Sequence, residues 1–305
     1  RVKLKLFHKD EPIHLSDVLP MLENFGLRII NESPYEITTN DGHVFWVLDF
    51  FMVHTAGPLD LDEIRENFQE AFARVWSGEL EDDGFNRLVL SAGMSGRHVV
   101  ILRMLAKYMR QIGVTFSQSY IENTFARYPK IAELIIKMFY TKFEPGVENV
   151  EEQLAAINEA LQAELSNVAS LDDDRIIGRY IDLIKAALRT NFFQSDEQGK
   201  PKSSVSIKFF PEDIPEMPLP LLKYEVFVYS PRVEGIHLRG GKVSRGGLRW
   251  SDRPEDFRTE VLGLVKAQQV KNTVIVPVGA KGGFVAKKLP SERDAFFEEG
   301  KNCYR

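Results

Sequence analysis

Between Gly96 and Phe193, five stretches repeat apolar residues at three-and-four spacing, and after residue 204 the apolar period drops to two. A chain that changes period so abruptly has to build two kinds of layer, helix on helix and then sheet with helix. The helical stretches read GRHVVILRMLAKYMRQIG, SQSYIENTFARY, KIAELIIKMFYTKF, VEEQLAAINEALQAEL and DRIIGRYIDLIKAALRTNFF, with Gly113, Pro129 and Pro145-Gly146 at their expected ends. Met104, Tyr108, Met109, Met138 and Phe139 fall on the apolar stripes and read as core, so residues 58–195 are expected to be architectural. The polar run SDEQGKPKSS contains the expected linker, 196–204. Beyond it, VSIKFF and KYEVFVYS alternate around a proline-rich crossing, PEDIPEMPLP. GIHLRGGKVSRGGLRW follows, with Ser251-Asp252 as candidate N-cap of a helix opened by Pro254-Glu255-Asp256. Residues 205–305 are therefore expected to form an α/β domain.

Ahead of the helical block, residues 1–57 read β-α-β-β. VKLKLF alternates, and SDVLPMLENFG carries Ser16 as candidate cap and Gly26 as stop. LRIINES and PYEITT precede an Asn40-Asp41-Gly42 turn into HVFWVLDFFMVHT. A further helix places Leu61, Ile64, Phe68, Phe72 and Val75 on one stripe. The βαββα run suggests a ferredoxin-like (ACT-like) sandwich of the kind that senses amino acids, so an α+β module should precede the α/β part.

Composition removes several classes. One cysteine, Cys303, leaves no disulfide framework or thiolate metal site, and a reducing cytoplasmic setting is the simplest reading. The six histidines show no paired ligand spacing, so no metal is expected. No apolar run reaches about 18 residues, so no membrane span is expected. The chain opens on Arg1 directly into a strand-like pattern, which reads as a piece of a longer protein. Charge is unevenly placed. Between His237 and Lys288, eleven Lys and Arg face four acids, a local +7 in a chain of net −5. A basic island in an acidic chain attracts anions.

Inside that island stands VIVPVGAKGGF, residues 274–284, where an apolar, strand-like run delivers Lys281 among Gly279, Gly282 and Gly283. On the preceding helix, counting 100° per residue from Phe257, Val261, Leu264 and Val265 share a face that ends in Gln268 and Lys271. Arg245, Lys271 and Lys281 are thus expected to converge. Cations packed together repel unless an anion joins them, and a lysine so crowded becomes a usable acid or base near neutral pH. Two carboxylate-binding cations beside one tuned lysine suit a small dicarboxylate undergoing proton transfer. The glycines have rivals. A phosphate loop would follow its lysine with Ser or Thr, whereas phenylalanine ends this run. RGGKVSRGGLRW resembles RNA-binding RGG repeats, but it lies between patterned elements rather than in low-complexity sequence, so nucleic acid is not the expected partner.

The stretch RGGLRWSDRPEDFRTEVLGLVKAQQVKNTVIVPVGAKGGF resembles the substrate-domain signature of the large NAD-specific glutamate dehydrogenases of bacteria, densely over 237–305 and more loosely upstream. The resemblance implies oxidative deamination of L-glutamate to 2-oxoglutarate and ammonium with NAD, in a homo-oligomer. It implies that Lys281 is the catalytic lysine, that Lys271 and Gln268 bind the α-carboxylate, and that Arg245 takes the γ-carboxylate where small relatives have lysine. Gly247 and Gly279 would complete the substrate site. The family's catalytic aspartate and its nucleotide-binding domain are not found in this sequence, so the isolated chain is expected to be inactive. A second reading stays open: an amino-acid-sensing or scaffolding module without catalysis, its effector held by residues 1–57.

Overall fold

The computed structural model describes residues 1–242, 244–271 and 278–305, with the side chains of Leu61, Glu63, Val270 and Lys271 outside the description. Most of the apolar run 273–278 therefore lies outside the described residues. The chain divides into two compact units, Arg1–Leu102 with Glu122–Glu133, and Arg103–Ile121 with Leu134–Arg305.

The first unit begins with β1 (Val2–Lys9), α1 (Leu15–Asn24), β2 (Leu27–Thr38) and β3 (Val44–His54), forming an antiparallel sheet of order β1-β3-β2. The two expected strands LRIINES and PYEITT are one continuous strand. Pro34 is tolerated because β2 is an edge, and a register shift between Ile29 and Asn31 absorbs the irregularity. Ser16 does not cap α1: His14 holds the cap position without a side-chain bond, while Gly26 ends the helix at φ +81. In α2 (Leu61–Trp76) the expected stripe is buried at Ile64, Phe68, Phe72 and Val75, with Phe25 edge-on to Phe68 at 5.1 Å. Asp60, through its carboxylate, caps that helix at Asp62 N.

There follow α3 (Arg87–Ser91), α4 (Gly96–Gln111), α5 (Gln118–Arg127), α6 (Pro129–Phe143), α7 (Val150–Leu165) and α8 (Leu171–Ala186). Pro129 opens α6 as its first residue, where a missing N–H costs nothing. The helical reading of residues 187–190 is corrected. ALRT is β4 (Ala187–Thr190), paired antiparallel with β5 (Val205–Phe209) across the 196–204 segment. Helical spacing continues through these residues, but their backbone bonds are taken by a strand far along the chain.

The sheet of the second unit adds β6 (Tyr224–Tyr229), β7 (Val233–Arg239), β8 (Leu248–Trp250) and, after α9 (Phe257–Lys271), β9 (Ala280–Ala286). Its order is β4-β5-β6-β7-β9-β8, antiparallel except for the parallel pair β8–β9. The last element is α10 (Arg293–Tyr304), whose first turn is capped by the Glu292 carboxylate and contains Asp294. Burial alternates strictly along β5 and β6, so one face of the sheet is covered and the other is open. On the covered face Tyr108 of α4 stacks on Phe209 at 4.3 Å, and α9 packs Val261 against Gly283.

Candidate functional site

Register fixes which side chains share the covered face. One row across the sheet runs Ala187, Phe209, Glu225, Leu238, Lys281, and the next runs Ile207, Phe227, Ile236, Gly283. Lys281 therefore lies on the α9 side of the sheet, in the second position of β9. This corrects the expectation that Lys281 follows the end of a strand in a glycine-cleared loop: AKGGFVA is itself the strand. The glycines have a packing reason. A Cβ on Gly283 would lie 2.5 Å from Val261 Cγ2, and one on Gly282 would run into Leu248 and sit 3.1 Å from the Ile236 carbonyl. They let β8 and α9 close on β9.

Around Lys281 the other candidates gather by backbone bonds. The Arg245 carbonyl accepts from Ala280 N at 3.4 Å and from Gln268 Nε2 at 3.2 Å. Gly247 O accepts from Gly282 N at 3.1 Å, and Gly240 N donates to Gly279 O at 3.0 Å. Gly279 is close-packed against the Gln268 amide, whose Oε1 is buried without a protein partner among the described residues. Arg245, Gly247, Gln268, Gly279 and Lys281 are thus brought to one place. Lys271 ends α9 beside them, but its side chain lies outside the described residues, so convergence of all three cations is not described. Arg245 is exposed and Lys281 half-buried, and among the described residues neither pairs with a carboxylate.

The nearest acid in the Lys281 row is already engaged. Glu225, fully buried, receives Arg258 Nε at 3.0 Å and Tyr108 Oη at 2.9 Å, and Arg258 is only 1% exposed. Burial, then the Glu225 charge, hold the Tyr108 hydroxyl well above its ordinary range. Burial opposes the Arg258 charge, but the Glu225 bond and charge outweigh it and raise its value. Gln111 completes the anchor, accepting from Arg258 N at 3.0 Å and donating to Pro254 O at 3.0 Å. This network fixes the start of α9 to β6 and α4, and so sets where Gln268 meets β9. The sequence reading passed over it. The signal was an acid at Glu225, on the inward phase of an otherwise apolar strand. The helix also begins later than expected, at Phe257, and Ser251 bonds Glu260 at 2.6 Å instead of capping. Arg239 was missed as well. It steadies the approach to Arg245 through Ser244 Oγ at 3.2 Å and Lys242 O at 2.7 Å.

An antiparallel α+β module, a helical run and a mixed, mainly antiparallel sheet define a multidomain α+β protein. Comparison with known families agrees in all three parts. Residues 1–64 match the glutamate dehydrogenase ACT3 domain, 80–145 the glutamate dehydrogenase helical motif 3, and 160–305 the bacterial NAD-glutamate dehydrogenase catalytic domain. The chain belongs to the bacterial NAD-glutamate dehydrogenase family. It is 51% identical over 308 residues to an NAD-specific glutamate dehydrogenase of Pseudomonas aeruginosa, covering 99% of this chain and 19% of that protein. Similar proteins of the same name occur in Halomonas elongata, at 50% over all of this chain and 19% of the relative, and in Mycobacterium tuberculosis, at 44% over 95% and 19%. The chain thus spans about a fifth of the length of these relatives. Among the described residues, no helix is long and apolar enough to cross a membrane and no acid, His or Cys cluster suits a metal.

Proposed function

We propose that the intact protein interconverts L-glutamate and 2-oxoglutarate plus ammonium, and that residues 205–305 contribute part of its substrate site. The observation that carries this reading is Lys281 on the covered sheet face, without a carboxylate partner among the described residues, beside the Arg245 loop and the Gln268 amide. Arg245 and Lys271 would hold the two carboxylates, the guanidinium as a bidentate fork. Lys281 would move protons at the reacting nitrogen and at the water that replaces it. NAD, when bound, supplies the hydride acceptor. The residues described do not fit it, because the chain has no Gly-x-Gly-x-x-Gly turn between strand and helix, and we place it outside this chain. In the intact enzyme Lys281→Ala should lower kcat by about 10²–10⁴-fold in a folded protein, and normal kcat would sink the assignment. Lys271→Ala should chiefly raise KM for glutamate. A homo-oligomer in the cytoplasm belongs to the same reading.

An effector site in the first unit is favoured by one observation. A cavity of ≈ 180 Å³ is lined by Glu23, His54, Arg87 and Ser91, and Ser91 Oγ is buried with no partner among the described residues. An acid and a guanidinium in one small cavity suit the two charges of an amino acid. Calorimetry of the intact protein with each amino acid tests it, and heats unchanged by Arg87→Ala would remove this site.

A further inference from the structure

The open face of the second sheet carries a row of its own. Arg189, Lys208, Val226 and His237 are successive cross-strand partners, and His237 continues to Gly282. Arg239 lies one position along from His237 on the same face, opposite Tyr224. The row is concave, not flat. The β4–β5 connection, closed by a bridge between Ser195 and Pro201, brings Lys202 to one end, and a cavity of ≈ 460 Å³ lies above the strands. That is the size of a small-molecule site. Its lining holds Arg189, Lys202, Lys208, Arg239 and His237, and no carboxylate.

Among the described residues no acid pairs with Arg189, Lys202, Lys208 or Arg239, whereas many of the chain's other surface cations do have acidic partners. Lys208 Nζ instead sits 3.7 Å from the centre of the Tyr224 ring. The crowding registers on the groups themselves. Burial first, then Arg189 and Arg239, hold the Lys208 ammonium below its ordinary range, and burial followed by Arg239 does the same to His237. Like charges held together without a counter-ion carry a cost that a bound anion relieves. Two of the neutral lining groups are already committed: Thr190 Oγ1 donates to Ser206 O at 2.7 Å, and Asn191 Nδ2 to Ser204 O at 3.1 Å. The charge in the lining comes from the cations alone.

Arg189 and His237 stand three strand spacings apart, roughly 14 Å. A small dicarboxylate is too short to engage both ends. A run of phosphoryl groups meets the Arg189 guanidinium at one end, His237 with Arg239 at the other, and the Lys208 ammonium between them. We propose that this basin is a binding site for a chain-like polyphosphate anion, separate from the Lys281 site and on the opposite face of the same sheet.

The test is calorimetry of the intact protein at constant ionic strength with inorganic tripolyphosphate, monophosphate and citrate. Saturable one-site binding of tripolyphosphate, about tenfold tighter than either other anion and about tenfold weaker in Arg189→Gln/Lys208→Gln, supports the proposal. Lys202→Gln, on the exposed connection, should weaken binding by itself and guards against a double variant that fails to fold. Equal affinity for tripolyphosphate and citrate, no binding at all, or affinity unchanged in these variants overturns it. Single-stranded RNA binding more tightly than tripolyphosphate through the same residues also overturns it, in favour of a nucleic-acid surface.

Discussion

The two faces of the second unit's sheet both carry cations, and they use them differently. On the covered face the charges in the Lys281 row, among the described residues, are Glu225 and Lys281. Glu225 is satisfied by Arg258 and Tyr108, two strands from Lys281, so it neutralises its own partner, and Lys281 has no carboxylate partner among the described residues. On the open face the cations crowd one another, and among the described residues no acid lines their cavity. A charge is available for function in both cases, through isolation by a buried network on one face and through mutual repulsion on the other.

The largest break of that comparison is chemical. Lys281→Ala should lower kcat by about 10²–10⁴-fold in the intact enzyme, the span of one proton-transfer group. Lys208→Gln should leave kcat within error, and loss of turnover there would merge the two faces into one site. Next in size is the network. Glu225→Gln leaves Arg258 buried and unpaired and should cost about 3–5 kcal/mol in urea unfolding. A loss under 1 kcal/mol, set against that figure, would mean water reaches the pair. Gly246→Ala is more local. Its Cβ would collide with the Ala280 carbonyl, so the Arg245 loop must shift, at roughly 1–3 kcal/mol and with raised KM for glutamate. Unchanged KM in that variant would separate Arg245 from substrate.

The smallest effect is in pH. His54, His98 and His237 are held below their ordinary value by burial, with Arg239 adding to it at His237. The unfolded chain then binds more protons between the folded values and about 6.5, so stability falls as pH drops through that window and levels off below it. Urea midpoints between pH 7.5 and pH 5 should show the decline, and His237→Gln should make it shallower. An unaltered slope would mean that His237 does not share the strain of its row.

Much of the architecture was legible because it is local. The Ile64, Phe68, Phe72 and Val75 stripe, the alternation of β5 and β6, and the Gly26 stop each follow from spacing a few residues long. Lys281, Gln268 and Arg245 were legible as a group because they lie within one basic island. The placement of Lys281 was not. Gly282 and Gly283 stand inside β9 and admit Leu248 and Val261, and no local pattern distinguishes that packing use from a loop around Lys281. Residues 187–190 were misread for a similar reason, since their helical period was overridden by pairing with β5.

The sequence by itself determined the periods, the turns and the position of the basic island, because propensity and amphipathic spacing act over a few residues. Only the tertiary structure decided which charges meet. Arg189, Lys202 and Lys208 lie outside the island in sequence, and register alone sets them in line with His237. Glu225 finds Arg258 and Tyr108 from positions 33 and 117 residues away. Electrostatic energy depends on separation in space, and strand pairing sets that separation between residues far apart in the chain.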